Sequence, residues 1–238
     1  MQERAVRTRR IFLEAAAQVF IEYGYEAASI STILERTKLT RGALYFHFTS
    51  KEGLARGVLD EAVTTEGLTP QTVKAQEWVD VGLLLAHRLP REPLLGASLA
   101  LSVDPAARAL FATRWPDWIA LGRDLLVEAK ERGEIQQHVD PVVAARLVVG
   151  AWTGVQLVSE SLAEFDLVSE ISELYALLLP NIVVPGVLAR LDTSPYRAER
   201  LLRTAREARD RETEEEAVAE AVAEGERVPG DDRRMPAR

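Results

Sequence analysis

Between Thr40 and Phe48 the chain reads TRGALYFHF, and helical spacing sorts its side chains onto two faces. Leu44 and Phe48, four apart, share one face, while Arg41 and Tyr45 share the opposite one. A short helix with an apolar inner face and an outward arginine suits the ~12 Å major groove of duplex DNA, where a guanidinium pairs with guanine O6 and N7. Gly42 lets the backbone approach the sugar-phosphate chain. Thr40, Tyr45, His47 and Lys51 stand where phosphates would lie, Lys51 at the start of the next helix, whose dipole also favours an anion. The basic stretch Arg4, Arg7, Arg9 and Arg10 can reach the flanking backbone. The same spacing also suits a small helical subdomain that binds nothing, and these residues alone leave both readings open.

Other chemistries find less support. The sequence has no cysteine, and its three histidines, His47, His87 and His138, are scattered, so neither a metal nor a cofactor is expected. There is no P-loop, dinucleotide fingerprint or HExxH. The nearest catalytic pattern, GASLA at 96–100, lacks the final glycine of a nucleophile elbow and sits in a helical pattern with no strand before it, so an enzyme is not expected. The net charge of −8 looks unfavourable for a polyanionic partner. Its distribution is not: residues 1–52 sum to +2 and the remainder to −10. No uninterrupted apolar run of about 18 residues occurs, and the start, MQERAVRTRR, is not a signal peptide. A cytoplasmic chain without a membrane partner is the expectation.

The elements that must hold TRGALYFHF can be read on either side of it. From Arg9 to Gly24 apolar residues recur at three-to-four spacing; Ser29 caps a second helix with Ile30, Ile33 and Leu34 inward; Thr40 caps the third; Ser50 opens a fourth over 50–63. A polar stretch from Thr64 to Gln76 is the candidate domain joint. Beyond it, helices are expected over 76–89, 93–102, 105–132, 140–163 and 168–190, with Pro180 and Pro185 kinking the last. No strand alternation appears, so the fold class is all-α: a helix-turn-helix domain at 1–62, a helical ligand-binding and dimerisation domain at 63–192, and a charged flexible tail at 193–238.

TRGALYFHFTSKEGLA, preceded by FIEYGYEAASISTILERTKL, resembles the DNA-binding domain of TetR-family repressors over residues 5 to about 60. VGLLLAHRL, LLVEAKERGEI, GAWTGVQLVSES and LLLPNIVVPGVLARLD extend the likeness, to about residue 192, toward one subgroup, the γ-butyrolactone autoregulator receptors. The acidic pI of about 5.1 is similar to theirs. The resemblance implies a homodimer on a palindromic operator, released by a diffusible γ-butyrolactone or butenolide that controls secondary-metabolite genes. It carries DNA contacts onto Thr40, Arg41, Gly42, Tyr45, His47 and Lys51, and the ligand-contacting tryptophan onto Trp118. Many relatives have lysine where Arg41 stands, which leaves the groove role but alters base preference. In the following helix Trp152 replaces a smaller aromatic, and Thr153 and Gln156 offer hydrogen bonds to a lactone. Trp78 and Trp115 are read as packing residues, and His87 as a core or interface histidine. Gly150 and Gly154 form a GxxxG in a helix of the expected dimer interface, 140–163 and 168–190, and the fourth helix is the expected lever between cavity and DNA. The alternative is the same repressor sensing another compound, such as an antibiotic or its precursor, or no ligand.

Overall fold

The computed structural model describes residues 2–62, 67–162 and 165–225, and among these the chain forms twelve α-helices. The first four, α1 (Gln2–Ala27), α2 (Ile30–Thr37), α3 (Arg41–His47) and α4 (Lys51–Ala62), make the N-terminal domain. The second domain runs through α5 (Lys74–Arg88), α6 (Pro93–Val103), α7 (Pro105–Phe111), α8 (Trp115–Glu131), α9 (Pro141–Ser159), α10 (Leu167–Ile182), the single turn α11 (Pro185–Leu188) and α12 (Arg197–Gly225). Part of the candidate joint, 63–66, and the chain end, 226–238, lie outside the described residues.

Local chemistry explains where the helices begin. Ser29 accepts from Thr32 N–H at 3.1 Å and Thr40 from Ala43 N–H at 3.2 Å, which satisfies amides that the first helical turn leaves unpaired. Asp104, Asp140 and Asp166 do the same for α7, α9 and α10; Pro105 and Pro141 open the first two of these, where a missing N–H costs nothing. Gly24, with φ +74 and ψ 172, breaks α1 in a conformation that a side chain would resist. The turned end is fastened across domains, for Tyr25 N–H donates to Asp104 Oδ2 at 3.1 Å.

Two apolar cores result. Phe12, Phe20, Ile33, Leu44, Leu54 and their neighbours fill the first; Trp78, Leu83, Leu126, Trp152, Ile171 and Tyr175 belong to the second. Helix α6 joins them, because Ala97 and Leu101 are buried in the N-terminal core although α6 belongs by sequence to the second domain.

Three expectations need correction. The helix expected over 105–132 is broken at 112–114, where Ala112 takes φ +60, so α7 and α8 are separate. The helix expected over 168–190 stops at Ile182, with Pro180 inside its last turn. Val183 and Val184 are extended, and Val184 N–H donates to Glu134 O at 3.0 Å. The tail is not free from residue 193: α12 docks on α5, burying Ala198 and Leu201. Arg197 pairs there with the wholly buried Asp80 at 2.8 Å, and Gln76 donates to the same carboxylate at 2.7 Å. That anchor lies 117 positions from Arg197, where periodicity within the tail could not reveal it.

Candidate DNA interface and ligand cavity

Helices α2 and α3 are joined by Lys38 in the left-handed region, with φ 55, which turns the chain sharply enough to set the two helices against each other. Leu44 and Phe48 are buried and hold α3 to the core, so Arg41, Gly42 and Tyr45 face solvent together as their spacing requires. A methyl group placed on Gly42 would meet nothing within 4 Å, leaving that backbone open to a large partner. Thr40 is exposed, with its hydroxyl oxygen engaged as the α3 cap. His47 is half-buried against Phe12, Phe46 and Phe48, with ring centroids 6.3, 5.0 and 6.4 Å away. Phe46, which spacing did not single out, is 81% exposed on the same helix; an apolar ring left so bare beside Tyr45 is suited to sugar edges or a thymine methyl.

Lys51 stands differently from expectation. Its ammonium donates to the carbonyls of Tyr25, Glu26 and Ala28 at 2.8, 3.1 and 3.0 Å, which uses its three N–H groups to tie α4 to the end of α1. These bonds brace the helices on either side of α3 and engage all three donors of the ammonium in the structure. In the basic stretch, Arg9 pairs with Glu61 and lies over Phe48, and Arg10 pairs with Glu14 at 2.9 Å. Arg4 and Arg7 point outward.

The second domain encloses a cavity of about 90 Å³, walled by α5, α6, α8, α9 and α10. Trp118 and Trp152 line it, and Trp78 and Trp115, read as packing, line it too. Trp152 Nε1 donates to Gly82 O at 3.2 Å, and Trp78 meets Tyr175 edge-on at 5.8 Å. Gly82 is required by that packing: a Cβ there would sit 2.1 Å from Tyr175 Oη. Burial, reinforced by the charge of Asp80, pushes the Tyr175 phenol well above its ordinary range, so it faces the cavity as a neutral hydroxyl. Ser98 and Ser102, one turn apart on α6, add two hydroxyls. Thr153 lines the wall, but its hydroxyl donates to Val149 O at 2.8 Å and so offers a ligand only an acceptor. Gln156 does not reach the wall; its amide donates to Glu160, and its buried Oε1 has no partner among the described residues. Among the described residues no carboxylate lines the cavity, which therefore suits a neutral or anionic apolar molecule over a cation. His87 is absent from the wall and borders a separate groove with Arg88, Arg91 and Arg206.

Helix-turn-helix and cavity agree with what the chain is related to. Residues 12–58 match the family described as "Bacterial regulatory proteins, tetR family". Over 225 residues the chain is 40% identical to the A-factor receptor protein of Streptomyces griseus, covering 94% of this chain and 80% of that protein. It is also 40% identical to the TetR regulator TylP of Streptomyces fradiae, whose crystal structure superposes with a TM-score of 0.74 over 87% of this chain and 93% of that one. The crystal structure of a gamma-butyrolactone receptor (ArpA-like protein), 24% identical, shares the fold with a TM-score of 0.66 over 83% of this chain and 98% of its own. The chain belongs to the TetR family, and is a helix-turn-helix transcriptional regulator.

Proposed function

We propose that the chain is a homodimeric repressor that holds a palindromic operator and releases it when a γ-butyrolactone or butenolide enters the cavity. The observation that carries this is the position of α6. Its Ala97 and Leu101 are buried in the DNA-binding core, while Ser98, Leu99 and Ser102, the intervening and following positions, line the cavity. A ligand that displaces one face must move the other, because closely packed cores shift as units. Helix α6, with α4 packed on it, is thus the lever, where the sequence pointed to α4 alone.

In the DNA-bound state α3 lies in the major groove, Arg41 reads a guanine, and Tyr45, Phe46 and the outward Arg7 follow the backbone and base edges. Two copies set their α3 helices one operator turn apart, ~34–36 Å. The dimer forms through the outer faces of α9 and α10. Leu147, Leu157, Val158 and Leu177 are exposed there, and Gly150 and Gly154 leave open backbone on α9. Helix α9 is long and apolar enough by composition to cross a membrane, yet only 28% of its most apolar window is buried. A second copy covering that stripe accounts for its character in a regulator whose partner is cytoplasmic DNA.

Support for the ligand class comes from the relative's designation as an A-factor receptor and from an aromatic cavity with no carboxylate on its wall among the described residues. The test is a gel shift on DNA from the protein's own promoter region, titrated with γ-butyrolactones and butenolides. Release at micromolar or lower ligand in the parent, with Trp118→Ala binding DNA but no longer released, is the expected result. Retention of DNA through the whole panel would overturn the ligand class.

A further inference from the structure

Arg114 is the one charged side chain on the cavity wall among the described residues. It precedes α8, two positions after the break at Ala112. From there its guanidinium also reaches the DNA-binding domain, pairing through Nη2 with Asp60 on α4 and through Nη1 with Asp117 at 3.4 Å. The same junction touches α4 once more, where Arg56 lies over the Phe111 ring at 5.3 Å. The link between α7 and α8 is thus a second bridge from cavity to DNA domain, separate from α6. It differs in kind: α6 couples the domains by packed apolar surface, whereas Arg114 couples them through a charge pair whose Asp60 member is 65% exposed.

We propose that Arg114 holds the acyl oxygen of the inducer, and that ligand and Asp60 compete for this one guanidinium. The inference rests on the cavity being the inducer site. A solvated ion pair is weakly held, whereas a guanidinium donating to an oxygen inside an apolar cavity is in a setting that strengthens the bond. The ligand therefore has the advantage in the contest. A guanidinium carries five N–H donors in a fixed fork, so it can begin to engage the ligand before leaving Asp60. The inducer is then an apolar molecule with its carbonyl or carboxylate directed at the start of α8, and its binding unfastens α4 from α8 just behind the recognition helix.

Asp60→Asn, Arg114→Met and the double variant test this with two readouts, the Kd for an alkyl γ-butyrolactone and the Kd for the operator without ligand. Asp60→Asn, a surface change outside the cavity, should bind the lactone about threefold more tightly because its competitor is gone, and hold the operator more weakly. Arg114→Met should bind the lactone roughly tenfold more weakly. In the Arg114→Met background, Asp60→Asn should change neither constant further, since the two groups act as one unit. Parental values for Asp60→Asn in both readouts, or additive effects in the double variant, would overturn the proposal. If the parent binds no lactone, the ligand class falls separately, and operator affinity decides the pair: equal, non-additive weakening supports it and parental affinity removes it.

Discussion

On the proposed function, Arg41 and Gly82 represent two ways in which one residue acts. Arg41 is exposed on a helix whose other face is locked by Leu44 and Phe48, so its removal leaves the scaffold intact. Arg41→Ala should lose specific operator binding in a gel shift while size-exclusion chromatography still reports a dimer; normal operator binding would remove the recognition assignment. Gly82 acts through space it leaves empty. Gly82→Ala must push Tyr175 aside, at a cost of about 1–3 kcal/mol of stability, and it narrows the cavity from the α5 side. Thermal unfolding should show the first effect and a weaker ligand response the second. The exposed face of Arg41 was legible in the sequence and the packing that Gly82 permits was not. Ser29, Thr40, Leu44 and Arg41 stand within twenty positions and declare their roles by cap chemistry and spacing. Trp78 and Trp115 carry the same apolar periodicity whether they fill a core or border a hollow, so they read as packing. The carbonyl partners of Lys51, at the end of α1 and just beyond it, are brought near only by the fold, so spacing could not show them.

Among the elements, α12 departs most from expectation and the N-terminal helices least. The helix-turn-helix was legible because its signals are local. The break between α7 and α8 was hidden because apolar spacing continues across 112–114, while the docking of α12 depends on Asp80 in a helix far away in sequence. That pair can be measured. Arg197→Ala leaves a fully buried carboxylate without its cation, and should cost about 3 kcal/mol, seen as a Tm lower by roughly 6–12 °C. A change within a degree would mean that α12 is an ornament on α5. The turned end of α1 has its own dependence. Burial raises the Asp104 carboxyl, but N–H groups of Tyr25, Ala107 and Ala106 outweigh it and hold the group below its ordinary value. Stability from this clasp is present above the carboxyl's ordinary pKa of 3.8 and lost as pH falls through the lower, folded value.

At the scale of the whole molecule, the outer stripe of α9 and α10 and the groove beside α12 respond to different probes. Leu177 is 73% exposed, and Leu177→Asp should yield a folded monomer by light scattering, with operator affinity reduced to that of a single half-site. A stable dimer would relocate the interface. His87 governs milder acid. Burial, helped by Arg91, lowers its imidazole from 6.5, so the unfolded chain takes up a proton that the folded chain refuses. The stability this gives is present above about pH 6.5 and falls away as pH drops through the folded value; His87→Gln should flatten the dependence of Tm between pH 7 and 5.5. One consequence concerns how such a regulator changes its inducer over evolutionary time. On α6 the cavity residues Ser98 and Ser102 each follow a residue packed into the DNA-binding core, Ala97 and Leu101. Substitutions there cannot adjust signal preference without also disturbing operator affinity. Descendants that acquire new signals should therefore vary first at α5, α9 and α10, away from both bridges to the DNA-binding domain, and leave α6 and the start of α8 almost untouched.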